Sequence, residues 1–180
     1  HYAQETFEGM KAYRTAEGKI QLFRPEMNAK RMINSNARLC MPEFPVDMLD
    51  MNPFTKIGKE WALLTAGAYY AAGLNPVKIL VEDELVRAVK GGTGFTKCGG
   101  NYAGSILGQV KAEKLGYAQV LWLDGEHRKY VEEVGTMNIM FKIAGEIYTA
   151  PIEGTVLPGV TRDSMIHLLR DWGYKVNETR

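Results

Sequence analysis

The sequence predicts an α+β protein with two domains, a small N-terminal α/β domain over residues 1–70 and a larger, strand-rich domain over residues 77–180. Segments with strand-type alternation are interspersed with segments of helical periodicity along the chain. Residues 71–76, which end in Asn and Pro, are typical of an interdomain linker. The length of 180 residues is enough for about one and a half domains of ordinary size.

The N-terminal domain is expected to contain a hairpin followed by a helix. Residues 6–14 and 20–23 are the predicted arms of the hairpin, because the turn-like residues 16–19 separate them. Pro25 suits the first turn of a helix, where its missing N–H has no intrahelical role. Apolar residues then recur with helical spacing, which predicts a helix over residues 26–39.

The C-terminal domain is expected to alternate strands and helices. A loop with five glycines, residues 91–100, precedes one predicted helix, and Gly116 and Gly173 mark two helix ends. The predicted strands are residues 77–81, 118–123, 130–143, 146–149 and 174–177, and the predicted helices are residues 102–115 and 161–172.

Composition argues against several classes of protein. A net charge of +1 gives no reason to expect nucleic acid or an acidic membrane surface as a partner. No run of 18 apolar residues is present, so no transmembrane helix is predicted. The cysteines Cys40 and Cys98 form no Cys-x-x-Cys motif, and His1, His127 and His167 lack metal-ligand spacing. We therefore expect a reduced, metal-free, cytoplasmic protein.

Residues 97–102, KCGGNY, place a lysine beside two glycines and near a tyrosine. Lysine forms Schiff bases with aldehydes, and glycine lets the backbone approach a ligand closely. A phosphate-binding P-loop is excluded, because Thr96 rather than glycine precedes Lys97 and Cys98 follows it. The alternative interpretation of Lys97 is an exposed loop lysine.

Two adjacent glutamates, Glu132 and Glu133, lie in a predicted strand. Side chains alternate between the two faces of a strand, so one carboxylate points inward if the other points to solvent. An inward carboxylate needs a partner with a proton or a charge, such as a protonated pyridine nitrogen. The alternative is a pair of strand glutamates with one salt bridge.

Residues 159–161 lie at the predicted start of a helix, where free N–H groups and the helix dipole favour an anion such as phosphate. The alternative is an ordinary helix start with Thr161 as the N-cap. A Schiff-base lysine, a carboxylate and a phosphate site are together what is needed to hold pyridoxal 5'-phosphate (PLP), whose ring acts as an electron sink.

The chain closely resembles the branched-chain amino-acid aminotransferases, which belong to the fold type IV group of PLP enzymes. EVGTMN at residues 133–138 is the most specific shared motif, since relatives acting on D-amino acids or aminodeoxychorismate usually differ there. The other shared segments are residues 1–2 (HY), 7–9 (FEG), 23–25 (FRP), Arg31, 75–77 (NPV), 91–94 (GGTG), 97–102 (KCGGNY) and 157–162 (LPGVTR).

The resemblance implies a role for each of several residues. Lys97 would hold PLP as a Schiff base and move the substrate proton, Tyr102 would bind the phenolate oxygen, and Glu133 would pair with the ring nitrogen. The phosphate would be held by Arg31, Val160 and Thr161. The substrate pocket would be lined by Tyr2, Phe7 and Tyr69, with Thr136 near the substrate carboxylate or the cofactor.

The resemblance also implies an activity and an assembly. Members transfer the amino group of leucine, isoleucine or valine to 2-oxoglutarate in branched-chain amino-acid biosynthesis. They are homodimers or higher homo-oligomers with a β-barrel-like large domain. A D-amino acid aminotransferase, an aminodeoxychorismate lyase and a non-catalytic fragment that retains the fold are the alternatives. The family has further strands where Trp61 and Ala62 abut, and more strands after Arg180, so we expect a chain break near Trp61 and a truncated large domain.

Overall fold

The computed structural model describes residues 4–43 and 75–180. Tyr2, Tyr69 and the Trp61–Ala62 junction lie outside the described residues, as do residues 71–74 of the expected linker. The division into domains and the expected chain break therefore stay predictions.

The N-terminal part contains a hairpin and a helix, as predicted. Strands β1 (Ala12–Arg14) and β2 (Ile20–Leu22) are antiparallel, and helix α1 spans Pro25–Arg38. The first arm is shorter than expected, because Thr6 pairs instead with Cys98 in an isolated bridge far along the chain. The beginning of the predicted arm thus joins the N-terminal part to the segment around Lys97.

The first sheet of the C-terminal part has the strand order β3-β4-β5. Strand β3 (Ile79–Glu82) runs parallel to β4 (Gln119–Leu123), and β4 runs antiparallel to β5 (Val131–Val134). Helix α2 (Gly99–Lys114) makes the crossover that a parallel pair of strands requires. The sequence predicts a start at Tyr102, whereas the structure places the start of this helix at Gly99.

The second sheet has the order β6-β7-β8, with β6 at Phe141–Ile143, β7 at Glu146–Thr149 and β8 at Val176–Glu178. Helix α3 (Val160–Asp171) connects the parallel strands β7 and β8. The single strand predicted over residues 130–143 is wrong. Gly135 adopts a φ of +54°, which breaks the strand into β5 and β6.

The core of the first sheet lies under α2. Ala112, Val120 and Trp122 are its fully buried residues, and the Trp122 ring packs against the helix at Gly108. The apolar side chains of α2 that the sequence places at helical spacing are largely exposed, among them Ile106 and Leu107.

No helix within the described residues is long and apolar enough to cross a membrane. The mixture of strands and helices confirms the predicted α+β class.

Candidate active site

Lys97 lies in the extended segment before α2, and both of its backbone groups are held by the N-terminal part. Its N–H donates to the Ser35 hydroxyl of α1 at 3.1 Å, and its carbonyl accepts from the Phe7 N–H at 3.1 Å. Ser35 is 2% exposed and Lys97 is half-buried, so the first of these bonds is partly shielded from water. Two separate N-terminal segments therefore determine where the lysine backbone lies.

The Lys97 side chain faces two aromatic rings. Its Nζ donates to Tyr102 Oη at 2.9 Å and lies 4.6 Å from the centre of the Phe7 ring. The two rings meet edge to face with centres 4.9 Å apart. Burial, followed by the negative charge of Glu133, raises the pKa of Tyr102. The phenol is therefore neutral and able to donate a hydrogen bond at neutral pH.

Glu133 is a buried carboxylate with hydrogen-bond donors on Oε1 and an ion pair at Oε2. Oε1 accepts from the Leu157 N–H at 2.7 Å and from Asn138 Nδ2 at 3.3 Å, and Oε2 lies 3.3 Å from Arg87 Nε. Burial raises the pKa of Glu133, while Arg87, the Leu157 amide and Lys97 oppose that rise. Burial has the larger effect, so the Glu133 carboxylate takes up a proton more readily than an exposed glutamate does.

Glu132 does not point to solvent, although the strand alternation suggested that one of the two glutamates would. It is 4% exposed and Glu133 is 3% exposed. The segment around Thr155 covers the second face of β5, and the Thr155 hydroxyl donates to Glu132 Oε1 at 2.6 Å. Both faces of the strand are therefore buried, which the alternation of residues could not reveal.

The start of α3 is the predicted site for an anion, and the structure places it one residue before Thr161. Gly159, not Thr161, is the N-cap, so the helix begins at Val160 and the N–H groups of its first turn have no partner within the helix. Thr161 itself is exposed. A Cβ on Gly159 would collide with the Asn138 side chain, so any larger residue here would have to displace Asn138.

Arg31 connects this helix start to the N-terminal part. Its Nε and Nη2 donate to the two carboxylate oxygens of Glu8 at 2.7 and 2.6 Å, and its Nη1 donates to the Pro158 carbonyl at 3.2 Å. Asn28 donates to the same Glu8 carboxylate at 2.8 Å. This two-pronged pairing sets the plane of the guanidinium beside the first turn of α3.

A cleft of about 550 Å³ brings several of the predicted residues together. Its walls include Lys97, Arg31, Thr136, Val160 and Thr161. Its volume lies within the range of about 300–1,000 Å³ that is typical of small-molecule sites.

The remaining predicted residues lie beside the cleft or outside the described part of the chain. Glu133 and Tyr102 line a smaller neighbouring cavity, which shares Thr136 with the cleft. Phe7 lines neither cavity, but its ring contacts Tyr102. Tyr2 and Tyr69 cannot be placed, and their roles stay predictions.

Sequence reasoning missed Arg87, Ser35, Glu8 and Asn138. Glu8 and Asn138 stand inside the shared segments FEG and EVGTMN, so a signal for them existed. Ser35 is an ordinary polar residue within a predicted helix, and Arg87 stands in a charged loop stretch. Nothing local marks either of them, because their importance comes from partners 62 and 46 positions away, Lys97 and Glu133.

The family model described as amino-transferase class IV matches residues 73–180, more than half of the chain. This part carries Lys97, Tyr102, Glu133 and the start of α3.

Similar proteins among the curated sequences carry related names. Branched-chain-amino-acid aminotransferase 2 of Bacillus subtilis (strain 168) is 43% identical over 216 residues, covering all of this chain and 60% of its own length. A probable branched-chain-amino-acid aminotransferase of Staphylococcus aureus (strain N315) is 44% identical over 217 residues, with the same coverage. The chain therefore spans about 60% of the length of these relatives.

Solved structures share the fold. The branched-chain amino acid aminotransferase of Thermobaculum terrenum in its PLP form superposes with a TM-score of 0.82 at 24% identity, over 98% of this chain and 68% of that one. The branched-chain amino acid aminotransferase of Escherichia coli superposes with a TM-score of 0.80 at 24% identity, over 99% of this chain and 68% of that one. The matched family model and the fold shared with these structures lead to one conclusion: the chain belongs to the class IV aminotransferases.

Proposed function

We propose that this protein transfers the amino group of branched-chain L-amino acids to 2-oxoglutarate, giving branched 2-oxo acids and L-glutamate, with PLP as its cofactor. One observation carries the proposal. The Lys97 amine lies on a cleft next to the neutral Tyr102 phenol, and Arg31 and the first turn of α3 line the same cleft. The names of the similar curated proteins indicate the substrate class.

The residues present fit PLP in charge and in donor type. Val160 and Thr161 offer N–H groups for a phosphate, and the guanidinium of Arg31, which pairs with Glu8, lines the same cleft. Glu133 is a buried carboxylate suited to a protonated ring nitrogen, and Tyr102 is a donor suited to the phenolate oxygen. When bound, PLP supplies an electron sink for negative charge that develops at the substrate α-carbon.

Lys97 acts as the base that removes the proton from the substrate α-carbon and as the acid that returns one. This role requires a neutral amine during part of the cycle. The Tyr102 hydroxyl, 2.9 Å from Nζ, orients the amine, and the Phe7 ring shields one side of it from water. The amino group moves in two half-reactions, so we expect ping-pong kinetics.

Apolar side chains in the cleft support an aliphatic substrate. Met10, Met137, Met140 and Met165 all line its walls. Methionine is flexible and adapts to side chains of different shape. An apolar wall separates neighbours that differ by one methylene by only about 1–3 kcal/mol, so leucine, isoleucine and valine should all be accepted. Phe7 and Thr136, near the lysine, are proposed to contact the substrate.

A covalent label tests the role of Lys97. Borohydride treatment of the PLP-loaded protein, followed by peptide mapping, should place the pyridoxyl label on Lys97. The variant Lys97→Ala should lose the label and the transamination of L-leucine with 2-oxoglutarate. The matched control Lys90→Ala removes an exposed lysine from the preceding loop and should keep both. A label on any other residue would overturn the assignment.

The substrate assay separates the alternatives. Activity with D-alanine in place of L-leucine would identify a D-amino acid aminotransferase instead. Release of pyruvate from aminodeoxychorismate would identify the lyase. No visible PLP absorbance at saturating cofactor would identify a non-catalytic fragment.

We further propose that the protein is a homodimer, as the resemblance to its family implies. Large apolar residues remain exposed on α2, including Ile106 at 61% and Leu107 at 65%. A contiguous exposed apolar surface usually marks a contact with another protein surface. Light scattering coupled to size-exclusion chromatography should give twice the chain mass, and a monomer mass would contradict the proposal.

A further inference from the structure

Three charged side chains are buried together beside the cleft. Arg87 and Glu133 are 6% and 3% exposed at their side chains, and Glu132 is 4% exposed as a residue. Charged groups are rarely buried unless they are paired, because removing a charge from water is costly. Two carboxylates and one guanidinium leave this group with an unbalanced negative charge when all three are ionised.

Arg87 is held from three directions. Its Nη2 donates to the Gly94 carbonyl at 3.2 Å and also to the Thr155 carbonyl, and its Nε lies 3.3 Å from Glu133 Oε2. The two carbonyl oxygens orient the guanidinium without neutralising it. The positive charge of Arg87 is therefore directed at Glu133.

Glu132 reaches Arg87 through one shared residue. The Thr155 hydroxyl donates to Glu132 Oε1 at 2.6 Å, while the Thr155 carbonyl accepts from Arg87. The second oxygen of Glu132, Oε2, accepts no hydrogen bond from any residue that the structure describes. Glu132 thus holds Thr155 in the orientation that anchors Arg87.

Other charged groups facing Glu133 act in both directions. Lys97 favours the ionised form of Glu133, whereas Glu132 and burial disfavour that form. The Tyr102 phenol is neutral, and the Leu157 amide donates to Oε1. Arg87 provides the largest opposition to the effect of burial.

We propose that Arg87 is a positioning residue, which keeps Glu133 ionised and aimed at the ring nitrogen of the cofactor, and that Glu132 and Thr155 hold Arg87 in place. This inference rests on the proposed PLP-dependent function. A protonated ring nitrogen would make the set of four charges neutral. Arg87 lies next to Glu133, so its charge favours the arrangement in which the proton resides on the ring nitrogen rather than on the carboxylate.

A titration of the cofactor-free protein tests the charge effect without any reference to catalysis. Protein labelled with ¹³C at the glutamate carboxyl carbons is titrated by NMR, and Glu133→Gln assigns the Glu133 signal. In Arg87→Met the midpoint of Glu133 should rise by at least about one pH unit, as loss of a close opposite charge predicts. In Arg87→Lys, which retains the charge, most of that rise should be absent.

The variant Glu132→Gln keeps an acceptor for Thr155 but removes the neighbouring negative charge. Its Glu133 midpoint should therefore fall. Loss of folding would not produce shifts of opposite sign in Arg87→Met and Glu132→Gln. An unchanged midpoint in a folded Arg87→Met would overturn the inference.

PLP labelled with ¹⁵N at the ring nitrogen tests the consequence in the complex. Its signal in the unsubstituted protein should be that of a protonated nitrogen, and in Arg87→Met it should move toward the unprotonated value. Failure of the unsubstituted protein to bind PLP would contradict the proposed function, while the titration would still report on Arg87. A bound but unshifted signal in Arg87→Met would overturn the inference alone.

Discussion

Helices α1 and α2 contact the rest of the molecule in opposite ways. Helix α2 packs on its sheet through apolar contact, with Ala112, Val120 and Trp122 fully buried. The contacts of α1 with the C-terminal part are polar, and three arginines spaced seven residues apart supply many of them. Arg24 pairs with Asp163, Arg31 donates to the Pro158 carbonyl, and Arg38 donates to the carbonyls of Gly91 and Gly92.

This difference shows that one interface contributes mainly to the stability of the protein and the other mainly to the positions of the site residues. Apolar burial contributes about 25 cal/mol per Å² without requiring one exact geometry. Hydrogen bonds and exposed ion pairs contribute only about 1 kcal/mol each, but they depend on direction. The α2 interface therefore contributes mainly to stability, while the α1 interface contributes mainly to where Lys97 and the start of α3 lie.

Trp122→Ala should have the largest effect, because it removes the largest side chain of the α2 interface. We expect a loss of about 3–5 kcal/mol in the free energy of unfolding, as for other buried aromatic residues. Urea denaturation monitored by circular dichroism measures this loss. A loss below about 1 kcal/mol would show that this core is not the main source of stability.

Substitutions at two glycines of α2 should change the free energy of unfolding in opposite directions. A side chain on Gly108 would collide with the Trp122 ring, whereas one on Gly104 meets nothing within 4 Å. We expect Gly108→Val to destabilise the protein by about 1–3 kcal/mol through overpacking. Gly104→Ala should stabilise it by about 0.5–1 kcal/mol through helix propensity. Equal effects in the same urea experiment would contradict the described contact of α2 with Trp122.

Ser35→Ala tests the α1 interface at the lysine. It removes the acceptor of the half-buried Lys97 N–H. A fully buried donor left without a partner costs about 1–3 kcal/mol, so we expect a loss of about 1 kcal/mol here. PLP affinity, measured by absorbance, should fall by a larger factor than for Gly108→Val, because Ser35 acts on the position of Lys97. Unchanged affinity in a destabilised Ser35→Ala would show that the α1 interface does not control the site.

Arg24→Met should have the smallest effect on stability. The side chains of Arg24 and Asp163 are 31% and 40% exposed, so the pair should contribute less than about 1 kcal/mol. High salt should remove most of the difference in the free energy of unfolding between this variant and the unsubstituted protein. A loss above about 2 kcal/mol that persists in about 1 M salt would mean that the pair has a structural role beyond charge attraction.

Much of the fold and part of the site could be predicted from the sequence. Strand alternation and helical spacing locate most elements to within a few residues, because these patterns are local. The failure at residues 130–143 has a local cause, since Gly135 takes a positive φ that a continuous strand does not allow. The sequence places the start of α2 too late because Gly99 and Gly100 are poor helix formers, and tertiary contacts override that propensity.

The residues of the candidate site also fall into those that the sequence could predict and those that it could not. Lys97, Glu133 and the start of α3 could be identified from residue type and local context, and the resemblance to known aminotransferases added Tyr102 and Arg31. Arg87 and Ser35 could not be identified, because each acts on a partner far away in the chain.

By itself, the sequence determined the approximate positions of most strands and helices, and which residues bring an amine, a carboxylate and a helix start to the candidate site. Only the tertiary structure decided that both Glu132 and Glu133 are buried, that Arg87 faces Glu133, and that α1 holds the backbone of Lys97. The physical reason is the distance along the chain over which each effect acts. Backbone propensities act over a few residues, whereas burial and ion pairing depend on groups that only the folded chain brings together.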